Sequence, residues 1–150
     1  MEVKRWRVFL DTSALIAGTI SPTGAAREVL RLAEARLIEL VVSRQVLTEA
    51  DRNLTAKLPA ILEEYHLLLR HLDPVIVDDP SSEAVREAAR VIHKNDAPIL
   101  AAAKQAAVNY LVTWNTRDFL TAKVRTWAPF PILTPGEFLR AFREALAKES

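Results

Sequence analysis

Hydrophobic positions along the chain alternate between short solid runs and longer periodic stretches. Five runs of three residues are apolar throughout and too short for helices: residues 8–10, 40–42, 75–77, 110–112 and 131–133. Runs that are apolar throughout, rather than alternating, are typical of parallel strands covered on both faces. The pattern therefore predicts a central parallel sheet of four to five buried strands.

Helical periodicity fills the intervals between these runs. Apolar side chains recur on one helical face from Ala26 to Leu37, Ser43 is suited to cap the next helix, and Pro98 suits the first turn of a later one. The predicted order of elements is β-α-β-α-α-β-α-α-β-α-β-α. Crossovers of this length between buried strands predict an α/β fold, a three-layer α/β/α sandwich.

One predicted helical hairpin, residues 44–72, carries more apolar surface than a single sheet-facing stripe requires. Its apolar side chains are Ile61, Leu62, Tyr65, Leu68, Leu69 and Leu72. Core packing is the first explanation, because apolar residues are mostly buried. A contact between two copies of the chain is the second, and it would make the protein a homodimer.

Composition narrows the class of protein. The 150 residues fit one domain spanning residues 1–150, and the absence of cysteine excludes disulfides and thiolate metal sites. Twenty basic and nineteen acidic residues give a net charge of +1, which excludes a globally polycationic nucleic-acid binder but not a local basic patch. No apolar run approaches a membrane span and the start MEVKRWR does not resemble a signal peptide, so we expect a cytoplasmic protein.

Polar residues fall where the predicted parallel strands end. Asp11 follows the first strand, Glu49 lies in the second turn of the helix after the second strand, and Asn115 and Asp118 follow the fourth. Asp96 opens the helix that leads into the fourth strand, and such a helix starts at the carboxyl edge of the sheet. Because ligands bind at that edge in open parallel sheets, we expect four carboxylates and one carboxamide to converge there.

Such a cluster is electrostatically unfavourable by itself. Two carboxylates about 5 Å apart repel by roughly 3 kcal/mol at an effective dielectric constant of 20. A hard divalent cation, Mg²⁺ or Mn²⁺, would relieve this repulsion and would support water activation and phosphodiester hydrolysis.

Each acid also has a simpler explanation. Asp11, Asp96 and Asp118 are suited to cap helices, and Glu49 suits a solvated helix face. It is less expected that four acids with unrelated structural roles would meet at one edge of the sheet than that they would form a functional site.

Four sequence blocks resemble the PIN-domain family, which includes the VapC toxins of bacterial and archaeal toxin–antitoxin systems. They are LDTSAL at residues 10–15, VLTE at 46–49, NDAPILAAA at 95–103 and YLVTWNTRDF at 110–119. No block is specific by itself, but the ordered set spans nearly the whole chain. The resemblance implies a metal-dependent endoribonuclease directed at single strands, with Mg²⁺ or Mn²⁺ as cofactor and RNA as substrate.

By position, the resemblance implies roles for individual residues. Asp11, Glu49 and Asp96 would be the primary catalytic and metal-binding acids, and Asp118 would help to hold a second ion. Some family members carry an acid where this chain has Asn115, so a second ion here would depend on Asp118 alone.

The remaining predicted substrate contacts surround these acids. Thr113 or Asn115 would shape the site, and Arg117 is one of several basic residues suited to bind backbone phosphates. The others are Arg44, Arg52, Lys94, Lys123 and Arg125. Trp114 has two explanations: buried packing, which is the usual role of tryptophan, and stacking on a base.

The resemblance also implies partners, namely a second copy of the chain and a small antitoxin protein. Two other functions stay open: a PIN nuclease of RNA processing with no antitoxin, and a catalytically inactive scaffold that binds RNA or protein. Receiver domains, dehalogenase-like phosphatases, nucleotide-binding modules and serine hydrolases fit poorly, because their acidic pairs, glycine-rich loop or nucleophile elbow are missing.

Overall fold

The computed structural model describes residues 5–149. The strands are β1 (Trp6–Leu10), β2 (Ile38–Ser43), β3 (Val75–Val77), β4 (Tyr110–Val112) and β5 (Ile132–Leu133). The helices are α1 (Thr12–Ile20), α2 (Ala25–Glu34), α3 (Arg44–Lys57), α4 (Leu62–Leu72), α5 (Ser82–Ala88), α6 (Ala97–Gln105), α7 (Thr116–Phe119), α8 (Ala122–Trp127) and α9 (Pro135–Glu149), with a 3₁₀ turn at Pro59–Ile61. No helix in this range is both long and apolar enough to cross a lipid bilayer.

The strands form one parallel sheet in the order β3-β2-β1-β4-β5. β1 is central, and its residues Val8, Phe9 and Leu10 are fully buried. Helices cover both faces of the sheet, which confirms the predicted α/β/α sandwich. The central position of β1 also places the carboxyl ends of β1 and β4 side by side, because Leu10 pairs with Val112.

The outer strand β3 is less buried than its apolar sequence predicts. Ile76 is 47% exposed, and Val75 and Val77 are only partly buried. β3 pairs with β2 alone, so it is an edge strand rather than a strand covered on both sides.

Two crossovers contain one more helix than predicted. Between β1 and β2 the chain forms α1 and α2, separated near Pro22, a residue that disfavours helical conformation at the position before it. Between β4 and β5 it forms α7 and α8, of four and six residues. Helices this short do not repeat an apolar face often enough for periodicity to reveal them.

The hairpin of residues 44–72 packs mainly on the core. Tyr65 and Leu72 are almost completely buried, and the other apolar residues of the predicted surface are partly buried against the same core. Tyr65 is therefore not available for contact with a second copy of the chain. The homodimer stays a prediction that this packing does not test.

Candidate active site

A cavity of about 290 Å³ lies at the carboxyl edge of the sheet. Three of the four predicted acids line it, namely Asp11, Glu49 and Asp96, together with Asn115. The remaining lining residues are Thr12, Ser13, Ile16, Asn53 and Ile99. Residues far apart in sequence thus meet in one place, as the topology predicts.

Asp11 is the most buried of these acids, with 3% of its surface exposed. Its Oδ1 accepts hydrogen bonds from the Ala14 backbone N–H at 3.0 Å and the Ser13 hydroxyl at 2.7 Å, and its Oδ2 accepts one from the Thr113 hydroxyl at 2.6 Å. Burial raises the pKa of the Asp11 carboxyl, and these hydrogen bonds oppose that rise. Asp11 therefore caps α1 and also presents a desolvated carboxylate to the cavity.

Glu49 projects from the second turn of α3 and is half-buried. Its Oε1 accepts a hydrogen bond from the Thr12 hydroxyl at 3.0 Å, and its Oε2 accepts one from the Gln45 side-chain amide at 3.3 Å. These contacts hold the carboxylate at the cavity and exclude the solvated-face explanation.

Asp96 stands at the N-cap position of α6, but its side chain makes no capping hydrogen bond. The pKa of its carboxyl rises to about 6, first because of burial and then because of the nearby charges of Asp118, Asp11 and Glu49, while His93 opposes the rise. Asp96 therefore does not serve as a simple helix cap, since its carboxyl group is positioned among other carboxylates.

Asp118 lies beside Asp96 but does not line the cavity. A hydrogen bond from the Asn115 side chain lowers the pKa of the Asp118 carboxyl, and the Arg117 guanidinium, 3.5 Å away, lowers it further. Asn115, rather than Asp118, caps α7, because its Oδ1 accepts from the Asp118 backbone N–H at 3.4 Å. The Arg117 side chain is 90% exposed.

Thr113 is fully buried beneath the cavity. Its hydroxyl donates to Asp11 Oδ2 and accepts from the Asn115 backbone N–H at 2.8 Å. A direct contact between Thr113 and substrate is incompatible with this burial. The hydroxyl instead fixes Asp11 against the start of the loop after β4.

The charges in the cavity suit a cation. No Lys or Arg is among the described residues that line it, and Asp11 bonds only to hydroxyl and backbone N–H groups. Within residues 5–149, no three His, Cys, Asp or Glu side chains are arranged to hold a metal ion together. This donor set fits an ion that takes one or two carboxylates and completes its shell with water, as Mg²⁺ does.

Four supporting residues were not identified from sequence. Thr12 and Gln45 bond to Glu49, Ser13 bonds to Asp11, and Asn53 lines the cavity. Helical spacing contained part of the signal, because Gln45 and Asn53 lie four residues before and after Glu49 on the same face of α3.

Comparisons with known proteins agree with this architecture. The family model described as PIN domain matches residues 7–117. Similar solved structures include PAE2754 from Pyrobaculum aerophilum (20% identity, TM-score 0.56, covering 90% of this chain and 88% of that one). A second is VapBC2 from Rickettsia felis bound to a DNA fragment from their promoter (19% identity, TM-score 0.60, covering 85% of this chain and 96% of that one). A third is FitAcB from Neisseria gonorrhoeae (20% identity, TM-score 0.59, covering 85% of this chain and 97% of that one). A search of curated protein sequences found no match.

Proposed function

Because the chain belongs to the PIN domain family, we propose that it is an endoribonuclease that uses Mg²⁺ or Mn²⁺ to hydrolyse RNA phosphodiester bonds. One observation carries the proposal: Asp11, Glu49 and Asp96 line a single cavity that contains no basic side chain among the described residues. Such a cavity would be unfavourable without a cation, and hydrolysis of a phosphodiester is chemistry that a cation at carboxylates supports.

In this proposal each acid has a separate task. A divalent ion would lower the pKa of water and offset the charge that develops on the phosphodiester. Asp11 and Glu49 would hold the ion, because hydrogen bonds from Thr113 and Thr12 fix their carboxylates. Asp96, which lines the same cavity, would bind a water molecule of the ion's shell, and Asp118 beside it would stay ionised and help to hold a second ion.

Addition of Mn²⁺ is expected to raise the melting temperature and to start cleavage of RNA. An ion that binds only the folded state stabilises it by roughly 2.7 kcal/mol at about 100 times its Kd. Because Asp96 retains its proton up to a pH of about 6, the shift should be larger at about pH 7.5 than at about pH 5. Thermal denaturation at both pH values, with RNA and matched DNA cleavage assays, tests this.

The control is the same titration on Asp96→Asn, which should show a smaller shift than wild type at about pH 7.5 and a similar one at about pH 5, where Asp96 is protonated. Equal shifts in the two proteins at the higher pH would mean that the ion binds elsewhere. A normal shift without cleavage of RNA would contradict the nuclease and favour the non-cutting scaffold.

We further propose that the protein is the toxin component of a toxin–antitoxin pair, with a small antitoxin protein as its partner. The support is its family together with its likeness in fold to VapBC2 and FitAcB. Production of the wild-type chain in a bacterial host is expected to arrest growth through RNA cleavage, whereas Asp96→Asn should not. Equal growth of both cultures at equal protein levels would favour a PIN nuclease without an antitoxin.

A further inference from the structure

Trp114 is the only Phe, Trp or Tyr residue in the described range 5–149 that is exposed, at 45%. The other two tryptophans are packed: the Trp6 ring lies 4.8 Å from that of Tyr110, and Lys104 Nζ lies 4.4 Å from the centre of the Trp127 ring. No ring pair or cation–π contact among the described residues involves Trp114. The buried-packing explanation for Trp114 is therefore wrong.

The backbone of Trp114 is fixed to the candidate active site. Its N–H donates to the Ser13 hydroxyl at 3.0 Å, and that hydroxyl donates to Asp11 Oδ1 at 2.7 Å. The residue before it, Thr113, bonds to Asp11, and the residue after it, Asn115, lines the cavity. Trp114 itself does not line the cavity. The exposed indole thus stands on a rigid support at the rim.

The surroundings of Trp114 favour a nucleobase as its ligand. A flat ring in water gains about 1–3 kcal/mol when a base stacks on it, whatever the base. Arg117, three residues further along, pairs with Asp118 at 3.5 Å, but its side chain is 90% exposed, and Arg is a residue type that binds backbone phosphates. A base within a duplex already stacks on its neighbours, so an unpaired base is the one with a free face.

A protein partner is less favoured by the same observations. Protein contacts usually use a contiguous apolar patch. The other large exposed apolar side chains lie on other elements or turns, outside the loop that follows β4: Ile20, Leu37, Leu58, Leu67, Ile76 and Leu146.

We propose that Trp114 is a stacking platform for one unpaired base of single-stranded RNA, and that it holds the strand beside the carboxylate cavity. This inference rests on the proposed nuclease function. It makes Trp114 a residue that selects single strands over duplexes.

The test measures binding rather than cleavage. Trp114→Ala and Trp114→Phe are made in an Asp96→Asn chain, and each is titrated with a short oligouridylate and with the same strand annealed to oligoadenylate. Stacking predicts roughly 5- to 150-fold weaker binding of the single strand by Trp114→Ala, near-recovery with Trp114→Phe and no change for the duplex. Quenching of tryptophan fluorescence by the single strand should also fall in both variants.

Leu146→Ala is the matched control, because Leu146 is also an exposed apolar side chain (51%) but lies on α9. Unchanged single-strand affinity in Trp114→Ala, or equal losses for single strand and duplex, would overturn the proposal. If the wild-type chain cleaves no RNA with Mn²⁺ although stacking is observed, the nuclease function fails and the platform remains.

Discussion

Replacement of Asp96 by Asn is expected to reduce RNA cleavage by at least about 100-fold while it stabilises the protein without metal. The folded-state pKa of Asp96, about 6, lies above the usual value of 3.8. The folded state therefore binds the proton more tightly than the unfolded state, and its stability falls as the pH rises from about 4 through 6. Asn carries no charge, so this loss is absent in the variant.

Urea denaturation without divalent ions at about pH 4.5 and about pH 7.5 measures the effect. The gain in stability from Asp96→Asn should be small at the lower pH and larger at the higher one. Glu144→Gln, which removes an exposed acid on α9, is the control and should show no such trend. A constant difference between Asp96→Asn and wild type at both pH values would contradict the carboxylate cluster.

At Asp11, Ala and Asn substitutions are expected to separate folding from activity. Asp11→Ala removes the cap of α1 and leaves the buried Thr113 hydroxyl without its acceptor, which should destabilise the protein by about 2–4 kcal/mol. Asp11→Asn keeps an oxygen for the Ala14 N–H and removes a desolvated charge, but its amide group presents a donor to the Thr113 hydroxyl. We therefore expect Asp11→Asn to be clearly less destabilised than Asp11→Ala. Both should abolish cleavage.

Denaturation midpoints and RNA cleavage rates of the two variants measure the effects on stability and on activity separately. Normal cleavage by Asp11→Asn would remove Asp11 from the chemistry and leave it as a helix cap only. If Asp11→Ala were as stable as wild type, the hydrogen bonds at Asp11 would contribute nothing measurable.

The sheet and the meeting of Asp11, Glu49 and Asp96 follow from simple features of the sequence. Solid apolar runs identify the strands, and parallel connections then place each strand end, and the start of α6, on one edge. The exposure of β3 was not predictable in this way, because strand order depends on contacts between distant segments. Local sequence does not distinguish an edge strand from a central one.

The supporting contacts of the site were harder to predict for a related reason. Thr113 and Asp11 are 102 positions apart, and their hydrogen bond depends on the pairing of β1 with β4. Asn115 and Asp118 are both good capping residues, so the sequence could not decide which of them caps the four-residue helix α7. The exposure of Trp114 was missed because tryptophan is usually packed.

The hydrogen bonds at Asp11 affect the choice of a catalytically inactive variant for binding experiments. A single carboxylate fastens the first helix to the loop after the fourth strand, so a variant that lacks it reports on folding and chemistry together. Asp96 begins its helix without a capping hydrogen bond, and its carboxyl group interacts with Asp118 rather than joining two elements of the core. The Asp96→Asn variant is therefore better suited than an Asp11 variant to capture uncleaved RNA or to purify the protein together with a partner.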